Sequence, residues 1–456
     1  MTKKLIPILL ICLFFFSSCA TRVIGDIDEE TAERIRFWTA DVEQFRSHVL
    51  RWHPKFVHED LVGLPRNIEQ GIALDHHLNK LLKNIINLTD FEVLAELQRA
   101  AAILQDGHFI FGGFPFQNNF MHSLMNNRYP LVFKWLYDGF YLAMADEDFN
   151  GVLNHKLLAI NNIPIEDVFS AFIGFMSVEN IYGAKSQFAL HVNAPGLLDA
   201  IGVKDSTDTV FGFCVGNGSD TLNISIPKSY IIAMDGWWGV NWIANWYSFG
   251  LVDNRIEGEL PVMFRNHETA NWHIFFEGDG LLYIRIHESM RFGNDFKYTF
   301  DNAVRLTESR MMRATIIDLR GNPGGDKEAY LPYFRILAEN TPPGSLFVFM
   351  DEGVYSAALL SAGYLYTLGA VLVGRPSGQL TDFYAFVGTS ARPQWWATLR
   401  FSRYEIAVPN QFFTLRPLGI NPPDLTLRPH ITIDFTIEDW INNRDPLLEY
   451  VLGRIN

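Results

Sequence analysis

The segment Ala314-Thr-Ile-Ile-Asp-Leu319 constrains the fold most, because an almost continuous apolar run ends directly in the turn Arg320-Gly-Asn-Pro-Gly-Gly325. Strands with apolar residues at nearly every position are typical of parallel sheets that are covered on both faces. Further strand-like runs occur at 281–286, 345–350 and 370–373, with helical segments between them. The last part of the chain is therefore predicted to be an α/β unit.

Two other patterns precede this α/β unit. Apolar residues recur every three or four positions at 35–52, at about 68–86 and after the capping-box sequence Thr89-Asp-Phe-Glu92, which predicts an N-terminal helical region. Short strand-like runs separated by Gly, Asn and Asp from about 130 to 261 predict a β-rich middle region. We therefore expect an α+β, multidomain protein with domains at 19–125, 126–270 and 271–456.

Composition excludes several classes of protein. The 456 residues include 37 basic and 51 acidic side chains, a formal net charge of −14, so no overall positive charge is available for binding nucleic acid. An apolar content of 48% excludes a disordered chain. The sequence has no His-Glu-x-x-His motif, and His76 and His77 would point in different directions on a helix. We therefore expect no metal site and no cofactor.

The N-terminus has the features of an export signal. Lys3 and Lys4 precede an apolar run from Leu5 to Phe16 that is too short to span a membrane. Two serines and Cys19 follow, and this ending resembles the bacterial lipoprotein signal. The resemblance implies that residues 1–18 are removed, that Cys19 is lipidated, and that the protein is anchored to the periplasmic or extracellular face of the cell envelope. The alternative is an ordinary secretory signal with an incidental cysteine.

The glycine-rich turn after the buried strand is a candidate anion-stabilising element. A phosphate-binding loop would place Lys and Ser or Thr after its second Gly, whereas Asp326 follows here. Such a turn can instead aim backbone N–H groups at a developing oxyanion. Pro323 has no N–H, so Gly324 is the expected donor, and a plain tight turn is the alternative.

Ser356 follows the next predicted strand and begins a predicted helix. There the helix dipole and the free N–H of Ala357 favour negative charge, which suits a nucleophile. A lone serine at this position is more often a helix N-cap. A hydroxyl nucleophile needs a base, and no lysine follows Ser356 in the sequence. His430 is the one downstream histidine, and His108 is a distant candidate just beyond Gly107, where glycine ends a predicted helix in the left-handed conformation.

Together these segments resemble the C-terminal processing peptidase family, which includes the tail-specific proteases and the tricorn core peptidase. Lys156 to Pro164 is similar to the middle region of the family, which is PDZ-like in many members. The resemblance implies a PDZ-like middle region and a crotonase/ClpP-like catalytic core of β-β-α units. The other matching segments are Leu104-Gln-Asp-Gly-His108, Ile317-Asp-Leu-Arg-Gly-Asn-Pro-Gly-Gly325, Tyr355-Ser-Ala-Ala358, and the pair Pro429-His-Ile-Thr-Ile433 and Asp445-Pro-Leu-Leu-Glu449.

The same resemblance implies a serine endopeptidase that acts on polypeptides without a cofactor. Ser356 would be the nucleophile and His108 the general base, with the backbone amides of Gly324 and Ala357 as the oxyanion hole. Asp382 is a candidate for the acid that orients His108, and a surface acid is the alternative for this residue.

Two positions depart from the family pattern. Arg375 stands where many relatives have Glu, and His430 stands where Asp is usual. The segment Trp237 to Trp246 is the most aromatic in the chain, and it is either a stacking platform for a ligand or a local core. Arg375 and this segment motivate an alternative function, a catalytically inactive binding lipoprotein on the same fold that captures a peptide, lipid or sugar.

Overall fold

The chain combines helices with several sheets, in agreement with the predicted α+β class. The predicted signal at 1–18, Cys19 and the tryptophan-rich segment 237–246 lie outside the described residues. None of the helices in the described part of the chain is long and apolar enough to cross a membrane. The computed structural model describes residues 28–57, 67–111, 120–203, 207–215, 220–233, 249–266, 269–289, 294–326, 328–386 and 395–455.

The N-terminal region is helical, as predicted. Asp28 caps the first helix by accepting a hydrogen bond from the Thr31 N–H, and the helix ends before Pro54. Thr89 and Glu92 form the predicted capping box. The helices are α1 (Glu29–Trp52), α2 (Pro54–Val57), α3 (Ile68–Asn84), α4 (Asp90–Ala102) and α5 (Phe120–Met125), and the short strand β1 (Ile110–Phe111) follows α4.

The middle region contains an antiparallel sheet and a pair of short strands, β2 (Asn127–Arg128) and β9 (Ile232–Ala233). The sheet has the order β3-β4-β5-β7-β8, with β6 paired to β5. Its strands are β3 (Leu131–Leu136), β4 (Gly139–Ala145), β5 (Lys156–Ile160), β6 (Ile163–Pro164), β7 (Asp208–Val215) and β8 (Asp220–Pro227).

Three helices lie between β6 and β7, so the middle region contains helices that the sequence analysis did not predict. They are α6 (Ile165–Ile173), α7 (Ile181–His191) and α8 (Pro195–Ala200). The missed signal is the spacing of Ile165, Val168 and Phe172, which are all buried on one side of α6. Glu179 lies in the loop that leads into α7.

The C-terminal region is built on a six-stranded sheet with the order β10-β11-β12-β13-β14-β19. The pair β10–β11 is antiparallel and the other neighbours are parallel. Every residue of β11, β12 and β13 is buried, as the apolar runs predicted. The strands are β10 (Asn271–Phe276), β11 (Leu281–Ile286), β12 (Ala314–Asp318), β13 (Leu346–Met350), β14 (Val371–Gly374) and β19 (Ile431–Thr432).

Helices cover both faces of this sheet. Phe334 and Leu359 pack with the apolar residues of one face, and Leu447 and Val451 pack with those of the other. The helices are α9 (Asn294–Ser309), α10 (Leu331–Glu339), α11 (Ala357–Thr367), α12 (Ile437–Ile441) and α13 (Pro446–Ile455). Because β12, β13 and β14 run parallel, the turns that follow them meet at one edge of the sheet.

Two small sheets complete the fold beside this edge. One is the antiparallel pair of β15 (Asp382–Ala385) and β18 (Gln411–Thr414). The other joins β1 to β17 (Glu405–Ala407) and β16 (Trp396–Thr398), with Ile110 opposite Ala407. Because β1 begins two residues after His108, its pairing with β17 ties the end of the helical region to the C-terminal region.

A buried ionic network fixes the turn after β12. The Arg320 guanidinium bonds both carboxylate oxygens of Asp445, at 3.0 and 2.9 Å, and also binds Asp318. Asp318 in turn lies 2.9 Å from Arg285 and accepts a hydrogen bond from the Tyr283 hydroxyl. Burial alone would raise the pKa of Asp318, but the two guanidinium groups lower it well below its ordinary value. The network therefore links β11, β12 and the start of α13.

Arg320→Met should lower the free energy of unfolding by about 3–5 kcal/mol, because it leaves two buried carboxylates without their shared cation. Urea denaturation followed by circular dichroism measures the change. Arg428→Met is the matched control, since the ion pair of Arg428 with Asp424 leaves the two side chains 48% and 52% exposed and should contribute about 1 kcal/mol or less. Equal losses in the two variants would contradict a structural role for the buried network.

Candidate active site

His108 is positioned by the loop that follows α4. The Asp106 carboxylate accepts a hydrogen bond from the His108 N–H at 2.9 Å and lies 3.0 Å from His53 Nε2. The left-handed residue of this loop is Gln105, with φ 46°, and not Gly107 as expected. Gly107 is required for a different reason, because a Cβ atom there would lie 2.0 Å from the Tyr355 hydroxyl.

Ser356 stands at the N-terminus of α11 with φ 53° and ψ −121°, a conformation that is strained for a residue other than glycine. Its side chain makes no capping hydrogen bond to α11, so the alternative of a simple N-cap does not hold. Its Oγ lies instead 3.1 Å from Nε2 of His108, a residue 248 positions earlier in the chain. The structure therefore brings the two predicted residues into hydrogen-bonding distance.

Aromatic rings cover both faces of the His108 imidazole. Tyr355 stacks on it with a centroid distance of 5.0 Å, and Phe383 stacks with a distance of 5.8 Å. Desolvation lowers the pKa of His108 to about 4, although the negative charge of Asp106 opposes this shift. The imidazole is therefore neutral at neutral pH, which is the state that can accept a proton.

The two predicted oxyanion donors flank Ser356. A Cβ atom on Gly324 would lie 2.6 Å from the Ser356 Cβ and 2.9 Å from the Ala357 nitrogen, so only glycine fits there. Within the described residues the Ala357 N–H has no hydrogen-bond partner. The Gly324 N–H, however, donates to Oδ1 of Asn322 at 2.9 Å. One donor is thus free, and the other is occupied by a side chain of its own turn.

Asp382 does not orient His108, contrary to the expectation from the sequence. Its carboxylate accepts hydrogen bonds from Thr414, at 2.5 Å, and from Arg416. Successive side chains of a strand point to opposite faces. Because Phe383 of β15 faces His108, its neighbour Asp382 points away from the imidazole.

Two residues that the sequence analysis missed occupy the far side of His108. The buried Gln379 has its side-chain Nε2 at 3.3 Å from His108 Nδ1 and at 3.0 Å from Glu179 Oε1. Glu179 also accepts hydrogen bonds from the Tyr355 hydroxyl and the Leu380 N–H, both at 3.0 Å. Desolvation, and then the charge of Asp106, raise the pKa of Glu179 to about 7.

The two departures from the family pattern have structural partners of their own. Arg375 binds the Glu352 carboxylate and donates to the Trp135 carbonyl at 3.2 Å, so its charge is neutralised beside the site. His430 accepts a hydrogen bond from the Leu372 N–H at 2.9 Å and stacks on Tyr366. Both residues hold the structure around β14.

Donor atoms of Asp106, His108 and Glu179 lie within 4.8 Å of one another, a spacing that could hold a cation. Both carboxylates already accept hydrogen bonds from protein donors, which favours a positioning role for them. A cavity of about 500 Å³ borders the two acids of this cluster. Its lining includes Lys55, Asp106, Glu179, Leu380 and Phe383.

The structure places a serine and a histidine beside a glycine-rich turn, at the end of the parallel strands of the C-terminal sheet. The solved structure of mature CPAF has the same fold, with a TM-score of 0.55 and 13% identity over 93% of this chain and 97% of that one. The photosystem II D1 C-terminal processing protease gives a TM-score of 0.39 and 11% identity over 91% and 96%. No protein-family model and no curated protein matches the sequence. The similarity to mature CPAF supports the predicted resemblance at the level of the fold.

Gly324→Ala should lower the free energy of unfolding by about 1–3 kcal/mol more than Gly344→Ala, because only the first places a methyl group against Ser356. Both glycines have positive φ, 108° and 76°, and Gly344 has open space around its Cβ position. The control therefore carries the backbone strain without the clash. Thermal or urea unfolding measures both variants, and equal losses would contradict the close contact at Ser356.

The low pKa of His108 should make stability depend on pH. The unfolded imidazole ionises near pH 6.5 and the folded one near 4, so the unfolded state binds more protons between these values. Stability should therefore fall by about 2–3 kcal/mol as the pH drops from 6.5 to 4. Urea titrations at several pH values measure the free energy of unfolding. In His108→Gln its loss between pH 6.5 and 4 should be smaller by about 2–3 kcal/mol. An unchanged loss in the variant would contradict a neutral His108.

Proposed function

We propose that this protein is a serine peptidase that cleaves polypeptides through an acyl-enzyme. The observation that carries the proposal is the distance of 3.1 Å between Ser356 Oγ and His108 Nε2. The strained backbone of Ser356 and the free N–H of Ala357 at the same helix terminus support it, because they place the hydroxyl beside a ready anion site. The peptidase fold of mature CPAF is consistent with this function.

The proposed reaction begins when Ser356 Oγ attacks the carbonyl carbon of the scissile peptide. His108, with its Nε2 unprotonated, takes the serine proton. The carbonyl oxygen becomes an oxyanion that accepts a hydrogen bond from Ala357, and from Gly324 once that amide leaves Asn322. The C–N bond then breaks as His108 returns the proton to the leaving amine. Water hydrolyses the ester by the same steps in reverse.

The setting of this activity is also part of the proposal. The signal-like residues 1–18 followed by Cys19 favour export and lipid anchoring to the bacterial cell envelope. A polypeptide outside the cytoplasm is then the expected substrate. The occupied Gly324 amide favours the alternative, a binding lipoprotein without catalysis, because only one oxyanion donor is free in the present arrangement.

A fluorophosphonate probe, which reacts covalently with activated serines, distinguishes the two functions. Purified residues 20–456 should be labelled at Ser356, and labelling should vanish in Ser356→Ala. His108→Ala should slow labelling by about a hundredfold or more, because the serine loses its general base. Labelling is measured by intact-protein mass spectrometry, with the modified residue assigned after digestion.

Exposed residues of the same types provide the matched controls. Ser309→Ala and His76→Ala should be labelled at the wild-type rate, since both side chains lie on the surface away from Ser356. A folded wild-type protein that resists the probe would favour the binding lipoprotein. Labelling that persists in His108→Ala at the wild-type rate would contradict the serine–histidine pair.

A further inference from the structure

The hydrogen bonds around Gln379 determine which way its side-chain amide points. The Ser356 N–H donates to the Gln379 atom assigned as Oε1, and a backbone N–H can only donate. That atom must therefore be the oxygen. The other terminal atom, which faces Glu179 at 3.0 Å, is then the NH₂ group, and it donates to the carboxylate. The opposite orientation would direct two donors at each other.

This orientation also determines the tautomer of His108. The NH₂ group of Gln379 has two hydrogens, of which one goes to Glu179 and the other points to His108 Nδ1 at 3.3 Å. Nδ1 must therefore be unprotonated and accept. A neutral imidazole has one proton, so this proton is on Nε2, where it faces Ser356 Oγ at 3.1 Å. In this state His108 has no lone pair directed at the serine.

We propose that Glu179 and Gln379 are opposed positioning residues for His108: Gln379 holds the non-productive tautomer, and Glu179 stabilises the productive one when Gln379 turns away. This inference rests on the proposed peptidase function. In the productive state the proton is on Nδ1 and is donated to the Glu179 carboxylate, while Nε2 accepts the serine proton. No other reactant is needed, because the change only moves one proton between the two ring nitrogens through solvent.

The surroundings of Glu179 allow this exchange. A carboxylate oxygen of Glu179 already lies within 4.8 Å of a His108 ring nitrogen. The cavity of about 500 Å³ borders both Glu179 and Leu380, the residue after Gln379, and provides space beside them. The charged and titratable groups near Glu179 are Asp106, Lys55, Tyr355 and His108. Because the pKa of Glu179 is about 7, the carboxylate becomes available as the pH rises through neutrality.

Nitrogen NMR of protein labelled with ¹⁵N-histidine tests the resting state directly, since protonated and unprotonated ring nitrogens have well-separated shifts. His108 is assigned from the signals that disappear in His108→Ala. At pH 8 the wild type should show Nε2 protonated and Nδ1 unprotonated. Nδ1 protonated in the wild type would overturn the proposal, whatever the variants do.

Gln379→Glu tests the switch with almost no change of shape. One oxygen of the new carboxylate still accepts a hydrogen bond from the Ser356 N–H. The other oxygen can only accept, so it receives one hydrogen bond from His108 Nδ1–H and one from a protonated Glu179. The proton of His108 should move to Nδ1, and labelling by the fluorophosphonate should become at least about tenfold faster. Glu179→Gln should slow labelling at least about tenfold and remove the rise of the rate through pH 7.

The outcomes separate this proposal from the function on which it rests. If the wild type, Gln379→Glu and Glu179→Gln are labelled at the same rate, the positioning roles of Gln379 and Glu179 are overturned. The proposed peptidase function is not affected by that result. A tautomer that changes in Gln379→Glu without any labelling would support the role of Gln379 and contradict the peptidase function. Gln379→Met is the structural control, because it removes the amide without adding an acceptor and should not accelerate labelling to the level of Gln379→Glu.

Discussion

Arg320 joins strand β12, the glycine-rich turn and helix α13 of the C-terminal region. Its guanidinium is buried, and a buried charge is tolerated only where partners surround it. Asp318 at the end of β12 and Asp445 at the start of α13 supply those partners. The turn that contains Gly324 begins at this anchored residue. The close approach of Gly324 to Ser356 therefore depends on a helix packed on the opposite face of the sheet.

The features that could be predicted from the sequence are those with a local signature. Apolar runs indicated the buried strands, and parallel strands bring the turns that follow them to one edge, which is where Gly324 and Ser356 meet. The structure also explains the glycine at position 324, because a Cβ atom there would collide with Ser356. His108 is different, because its contact with Ser356 spans 248 positions. Only the resemblance to a known family connected these two residues in advance.

The features that could not be predicted depend on tertiary contacts of single side chains. Glu179 lies in a loop before α7 and Gln379 in a loop after β14, and neither belongs to a periodic pattern or a known motif. Asp382 is the one acid between Ser356 and Tyr404 in the sequence, but strand alternation turns its side chain towards Arg416. The helices of the middle region were missed because their apolar spacing is embedded among strand-like runs.

The backbone N–H groups of Gly324 and Ser356 both donate hydrogen bonds to side-chain amide oxygens. Asn322 accepts from Gly324, and Gln379 accepts from Ser356 itself. Buried N–H groups need partners, so an empty site must satisfy them internally. A substrate that recruits the Gly324 amide has to replace a hydrogen bond with a net contribution of about 1 kcal/mol. Under the proposed peptidase function, a substrate carbonyl oxygen therefore has to compete with Asn322 for the Gly324 amide.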